Sequence, residues 1–292
     1  MKNNNLLIIG GSGSIGTAIT ENNDFDHIYV LDKQIQKKST NKITYLKCDL
    51  LNSNLLEKIF LKLPSNLFVI YLAGNLTMEF HSINVQKSFN DNVIALSNFL
   101  NLFNSKLNHV VLVSSISVYG KPLRSPIKEN HPIQPFSLYG CAKASSEIIC
   151  KALCQNYKIP LTILRLTQLY GLQSAHETFP HILLNAIKSK DLSKLKVDPR
   201  IERDYLHVSD FVNFLKILIK HPKEGIFNIG TGKGRNLMSL VQSFADLYQI
   251  DLEESNSTVN SSFSQVMDIS LAKKIFGFKP TQKIESWLKN EL

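Results

Sequence analysis

Short apolar runs alternate along the first half of the chain with longer stretches whose apolar residues recur every three or four positions. Leu6–Ile9 reads as a buried strand, followed by a helix through Ile15 and Ile19. His27–Leu31, Ile43–Lys47, Leu67–Leu72, His109–Val113 and Leu161–Leu166 read as further strands. Between them, helical spacing predicts helices over about 54–63 (ended by Pro64), over Val85–Phe103 and over 137–156. Strands separated by helices imply parallel βαβ units and an α/β, doubly wound parallel sheet. After Gly171 the rhythm loosens. Helices are predicted over Phe179–Ser189, Val208–Ile219, Leu237–Tyr248, Leu271–Phe276 and Ile284–Leu288, with a short strand at Ile226–Ile229. Glu253–Ser264, rich in Ser and Asn, reads as a loop.

Composition narrows the possibilities. The chain has 292 residues, 43% hydrophobic and 20% charged, which permits a sizeable core and excludes global disorder. The formal net charge is +9, but the lysines are scattered and no run of five basic residues occurs. That pattern favours a solvated basic surface over a nucleic-acid-binding one. No apolar stretch is long enough to cross a bilayer, so no membrane association is expected. Met1–Asn5 leads into only four apolar residues, too few for a secretory signal, so a cytoplasmic location is expected. Cys48, Cys141, Cys150 and Cys154 show no metal-ligand spacing and read as reduced thiols; no metal is expected.

The first candidate chemistry follows the first strand. Gly11, Gly13 and Gly16 satisfy G-x-G-x-x-G, and Gly10, Gly13 and Gly16 satisfy G-x-x-G-x-x-G. Glycines there permit a tight turn and let backbone amides approach a pyrophosphate at a helix N-terminus. Asp32 ends the second strand about twenty residues on, where a carboxylate accepts hydrogen bonds from adenosine ribose hydroxyls and favours NAD over NADP. Lys33 beside it blurs that preference. Asp49, after the third strand, is placed either to meet the adenine edge or to cap the next helix.

Tyr139 and Lys143 stand at i and i+4 on a predicted helix and share one face. A nearby ammonium is expected to lower the tyrosine pKa, fitting it for proton transfer near neutral pH. The strand 109–113 runs into Ser114 and Ser115, at a strand end where ligands bind in such folds. Ser115 is the candidate to hold a substrate oxygen; Ser114 and Ser117 read as structural.

With these residues in place the chain resembles the extended short-chain dehydrogenase/reductases, the NAD-dependent epimerase/dehydratase family. The matching pieces run in order: the glycine turn, Asp32, Asp49-Leu50, Tyr71-Leu72-Ala73-Gly74, Asn92, Ser114-Ser115 with Val118-Tyr119-Gly120, and Tyr139 with Lys143. Leu164-Arg165-Leu166 with Tyr170-Gly171, Arg203 to Val208, and Phe227-Asn228-Ile229-Gly230 continue the series. The resemblance implies a Rossmann NAD-binding domain over 1–171, with about 208–230 returning to it. A smaller, mixed C-terminal substrate lobe would comprise 172–207 and 231–292. Bound NAD would be held by Gly10, Gly13, Ser14, Ile15, Gly16, Asp32, Asp49, Leu50, Leu72, Ala73, Gly74, Asn92, Tyr139 and Lys143. A nucleotide sugar would be met by Ser115, Gln168 and Arg203, with Ser115, Tyr139 and Lys143 catalytic. Two helices per subunit would form a homodimer.

Arg203 has its own physical case, since a guanidinium forks onto phosphate oxygens; the alternative is a surface pair with Asp204. His207 reads as structural. The sequence departs from the family's pattern in places. Ile9 replaces a threonine, Gln168 replaces an asparagine, and Ser261 to Val266 lacks a second arginine. Ile116-Ser117 stands where 4,6-dehydratases carry an acidic pair, which argues against elimination chemistry. The reading favoured is a nucleotide-sugar 4-epimerase. The alternatives are an NAD(P)H-dependent reductase of nucleotide-activated 4-keto sugars and a non-catalytic dinucleotide sensor or nucleic-acid binder.

Overall fold

The apolar runs become strands because both faces of the sheet are covered, so β-branched and aliphatic residues need not alternate with polar ones. In a computed structural model, which describes residues 5–21, 25, 27–35, 37–74, 84–172, 178–191, 195, 198–250 and 263–292, β1 (Asn5–Ile9) leads through the glycine turn to α1 (Ser14–Glu21). Then come β2 (Ile28–Asp32), β3 (Ile43–Lys47), α2 (Ser53–Lys62) and β4 (Leu67–Tyr71), whose five residues are all buried. Asn52 caps α2, its Oδ1 accepting from the Leu55 amide at 3.0 Å. The helix stops at Leu63, before Pro64.

The single helix predicted over Val85–Phe103 is α3 (Val85–Phe89), a π turn at Asn90–Ile94, and α4 (Ala95–Phe103). A π turn inserts one residue without erasing apolar spacing, so periodicity alone does not reveal it. The Asn92 carbonyl accepts from Ser146 Oγ at 3.0 Å. Next come β5 (Leu107–Ser115), α5 (Leu138–Tyr157) and β6 (Leu161–Leu166). Ser137 caps α5 through the Gly140 amide, and Lys158 ends it in the left-handed conformation.

Beyond β6 lie β7 (Gln168–Tyr170), α6 (Phe179–Ser189), β8 (Glu202–Arg203), β9 (Tyr205–His207), α7 (Val208–Lys220) and β10 (Gly225–Ile229). The chain continues as β11 (Arg235–Asn236), α8 (Leu237–Tyr248), α9 (Ser270–Phe276) and α10 (Ile284–Glu291). The predicted loop at 253–264 lies, apart from Phe263 and Ser264, outside the described residues. The short strands β7, β8, β9 and β11 had no signal of their own, being too short for any period to register.

The main sheet has the order β10-β6-β5-β4-β1-β2-β3, with β3, β2, β1, β4 and β5 paired in parallel. This is the doubly wound Rossmann arrangement expected from the sequence. Chain contacts divide the protein into two units: 1–120, 132–165 and 216–227, and then 121–131, 166–215 and 228–292. In the first unit, Phe99, Leu100 and Phe103 of α4 join Leu7, Val69 and Leu112 of the strands in one buried cluster. In the second, Leu183 and Ile187 of α6, Val241 and Phe244 of α8 and Leu288 of α10 form another. There the Asp210 carboxylate accepts from the Thr281 amide and hydroxyl and the Gln282 amide, tying α7 to the segment before α10. No helix among the described residues is long and apolar enough to cross a membrane.

His109 carries a pH consequence of the sheet's packing. It is 5% exposed and its ring stacks on Phe68 at 5.0 Å. Thr162 donates its hydroxyl to the Lys223 carbonyl at 2.6 Å, so it accepts from His109 Nε2 at 2.7 Å, which places the proton on Nε2. Burial lowers the His109 pKa to about 4. The unfolded chain therefore binds the extra proton first, and stability contributed by the neutral ring is lost as pH falls from about 6.5 towards 4. The loss expected at the acid end is on the order of 3 kcal/mol. Urea unfolding at stepped pH measures it; His109→Phe should flatten that part of the profile, and an unchanged slope would count against the assignment.

Candidate active site

β1 delivers the chain into the glycine turn. Gly10 has φ +78°, and a Cβ there would sit 2.7 Å from the Ala73 backbone, so only glycine lets the turn approach the end of β4. Around Gly13 there is room instead: a Cβ would meet only the Gly10 carbonyl, at 3.4 Å. The Gly13 carbonyl accepts from Thr17 at 2.8 Å, so the helix begins there, at Ser14, Ile15 and Gly16. A glycine edge beside a helix N-terminus suits an anionic diphosphate.

Asp32, at the end of β2, accepts from the Ser12 amide at 2.9 Å through Oδ2 and from the Gln34 amide at 3.0 Å through Oδ1. It thereby braces the glycine turn across the sheet edge. Asp32, Asp49, Leu50, Ala73 and Gly74 line one cleft with Ile9, Leu31, Lys33, Cys48, Asp91 and Ala95, enclosing about 550 Å³ that includes open solvent. Asp49 does not cap α2, since Asn52 does; its Oδ1 accepts from the Leu51 amide at 3.0 Å. Leu72 donates its amide to the Ile9 carbonyl at 2.9 Å and is not among the residues lining the cleft.

Ser115, Tyr139 and Lys143 meet where β5 ends against α5. The Tyr139 hydroxyl is hydrogen-bonded to Ser115. Lys143 Nζ lies 5.9 Å from the Tyr139 ring centre and donates to the Val113 carbonyl at 3.2 Å. A Cβ built on Gly74 would be 3.1 Å from Lys143 Nζ and 2.5 Å from Asn92 Oδ1, which joins the catalytic candidates to the end of β4. Asn92 is 1% exposed and its Oδ1 has no hydrogen-bond partner. An unmatched acceptor so deeply buried is costly unless something fills it.

The expected lowering of the Tyr139 pKa is not what the structure gives. Burial pushes the phenol up to about 12, with the Ser115 hydrogen bond pulling modestly the other way. Lys143 is itself buried, and desolvation brings its pKa down to about 8 while Glu147 pulls it back up. Desolvation of the phenol dominates, and the ammonium is itself weakened by the same burial.

In the second unit, Gln168 is exposed on β7 and pairs with Tyr205 of β9. Arg203 stacks over Phe263 with 5.5 Å between guanidinium and ring, and its Nη1 donates to the Phe263 and Glu202 carbonyls. The surface pair with Asp204 does not form. Asp204 is buried and accepts from Thr231 Oγ1 at 2.5 Å, and from the Thr231, Gly232 and Met267 amides. His207 Nδ1 lies 2.7 Å from Ser209 Oγ and its ring packs edge-on against Tyr170.

The model of the NAD dependent epimerase/dehydratase family matches residues 6–230 of this chain. The chain belongs to that family. Among its relatives, UDP-glucuronic acid decarboxylase 6 of Arabidopsis thaliana is 24% identical, over 98% of this chain and 87% of that protein. A UDP-glucose 4-epimerase of Lactobacillus helveticus is 26% identical over 94% of this chain and 92% of its own length. The UDP-glucuronic acid 4-epimerase of Bacillus cereus, solved with UDP-glucuronic acid and NAD, superposes with a TM-score of 0.83 at 21% identity, covering 98% of this chain and 97% of that one. That last likeness speaks for a shared fold.

Within this family member, sequence reasoning passed over the group beneath the catalytic candidates. Glu147, one further turn along α5 from Lys143, is fully buried. It accepts from Ser114 Oγ at 2.6 Å and from Arg165 Nε and Nη2 at 3.0 and 2.8 Å. Arg165 Nη1 donates to the Tyr119 hydroxyl at 3.0 Å. α5, β5 and β6 are thereby fastened to one another and to Tyr119 beside Ser115 and Lys143. The signal was available: Tyr139, Lys143 and Glu147 repeat every four residues, and a carboxylate on the buried face of a helix needs a cation.

Proposed function

We propose that the chain is a nucleotide-sugar 4-epimerase that holds NAD and acts by transient oxidation at the sugar C4. The observation that carries this reading is the Tyr139 hydroxyl bonded to Ser115, with Lys143 one helical turn on and against Gly74. The residues suit a dinucleotide. The room beside Gly13, the helix start at Ser14, the cleft around Asp32 and the unmatched Asn92 Oδ1 are all on the first unit. NAD, when bound, supplies a hydride acceptor at C4 and, in its oxidised form, a positive charge.

Ser115 donates a hydrogen bond to the C4 oxygen and positions it. Tyr139 takes the hydroxyl proton as the C4 hydrogen leaves with its electron pair, and returns it when hydride comes back to the other face. Because burial holds the Tyr139 pKa at about 12, the phenolate needs cationic neighbours. Lys143, still mostly an ammonium at pH 7, is one of them. Arg203 is assigned to the substrate diphosphate and Gln168 to the sugar.

The test is incubation with UDP-, dTDP-, GDP- and CDP-sugars, reading product stereochemistry with and without added NADH or NADPH. The expected result is C4 inversion without consumption of added reduced cofactor. Stoichiometric consumption of NADH or NADPH with a 4-keto sugar, and no inversion, would replace this reading with a ketoreductase.

A further inference from the structure

The adenosine cleft contains a charge arrangement that the glycine turn and Asp32 do not account for. Lys33 Nζ lies 3.8 Å from Asp91 Oδ2, and Lys87, one turn before Asp91, lies 2.5 Å from the same oxygen. Asp91 is 15% exposed while Lys33 is 49% exposed, so the carboxylate forms part of the cleft wall and the lysine is drawn to it from solvent. Asp91 and Asp32 both line this cleft. A dinucleotide bearing a 2′-phosphate needs a cation beside the ribose-facing carboxylate. Lys33 follows that carboxylate directly in sequence, yet its ammonium is turned towards Asp91.

We propose, resting on the dinucleotide reading above, that Asp91 is a specificity-determining residue which keeps the 2′-phosphorylated dinucleotide out. It does so in two ways. It occupies Lys33, which would otherwise answer the phosphate. It also sets a second carboxylate, compensated from outside by Lys87, in the wall of a cleft that already holds Asp32, so a dianionic phosphate meets acceptor oxygens where it needs donors and a ribose hydroxyl finds acceptors it can use. An unphosphorylated ribose is indifferent to the pair.

Calorimetric titration of the whole chain with NAD+ and with NADP+ tests this. Asp91→Asn keeps the side chain's shape and releases both lysines. It should bind NADP+ about tenfold more tightly, a change of roughly 1.4 kcal/mol, with NAD+ affinity within about threefold of the parent. Adding Lys33→Met to that variant should remove most of the gain, because Lys33 is the cation set free. Lys33→Met alone should leave NADP+ binding almost unaltered. If Asp91→Asn binds NAD+ normally and gains nothing for NADP+, the proposal falls and the cofactor assignment stands. A gain that survives Lys33→Met overturns the role given to Lys33. If the parent chain binds neither dinucleotide, the cofactor assignment fails and takes this proposal with it.

Discussion

Tyr139→Phe is expected to lower turnover by about 10²- to 10⁴-fold, the range spanned by a positioned general acid–base, while NAD+ affinity stays within about threefold. The ring is retained and so is its packing in α5; only the proton-carrying oxygen bonded to Ser115 is removed. Stability should change little, because the ring and its packing are kept and a single hydroxyl is lost. The combination is diagnostic. A merely structural tyrosine would lose stability and keep its rate, whereas a proton donor does the reverse. Product formation under single-turnover conditions and a calorimetric NAD+ titration provide the two readouts. Turnover within about threefold of the parent would take Tyr139 out of the chemistry.

Arg165→Met should destabilise the fold by about 3–5 kcal/mol, because it leaves the Glu147 charge buried without its partner. Arg165 and Glu147 are 2% and 0% exposed, at 2.8 Å, so solvent can offer the stranded carboxylate little. Ser114 supplies one hydrogen bond to it, which satisfies an oxygen but not a charge. The double variant Arg165→Met, Glu147→Gln should recover much of the loss, since no net charge is then left in the interior. Denaturant midpoints for the parent, both single variants and the double variant complete the cycle. A double variant no more stable than Arg165→Met would show that the pair acts through packing alone. The double variant also reaches the chemistry: with Glu147 neutralised, Lys143 loses the charge that props up its pKa, so its ammonium should give up its proton at lower pH than in the parent.

Much of this architecture was legible because long strands and helices advertise themselves. The glycine turn could be read as a phosphate cradle because a strand ends at Ile9 and a helix starts at Ser14. Tyr139 and Lys143 could be paired because α5 is long and regular. What escaped is physical in origin. The π turn at Asn90–Ile94 adds a single residue inside an otherwise helical pattern, so Asn92 could be placed in order but its inward carbonyl could not. The two- and three-residue strands around Arg203 and Gln168 are held by pairing partners distant in sequence. The sign of the Tyr139 shift depends on how deeply the phenol is buried, which no spacing encodes. Asp91 belongs to no motif, and only the fold sets it beside Lys33.

Retuning such a protein at Asp32 would have a structural side effect. Its carboxylate is already claimed by two main-chain amides, Ser12 on the loop that would face the diphosphate and Gln34 just beyond the strand. Exchanging it for a neutral or basic residue, the obvious route to a different coenzyme, would slacken the very loop that any coenzyme requires. Altered preference and intact grip are therefore coupled at that position. Evolution and protein engineers alike would find it easier to work on the flanking side chains, leaving the keystone where it is.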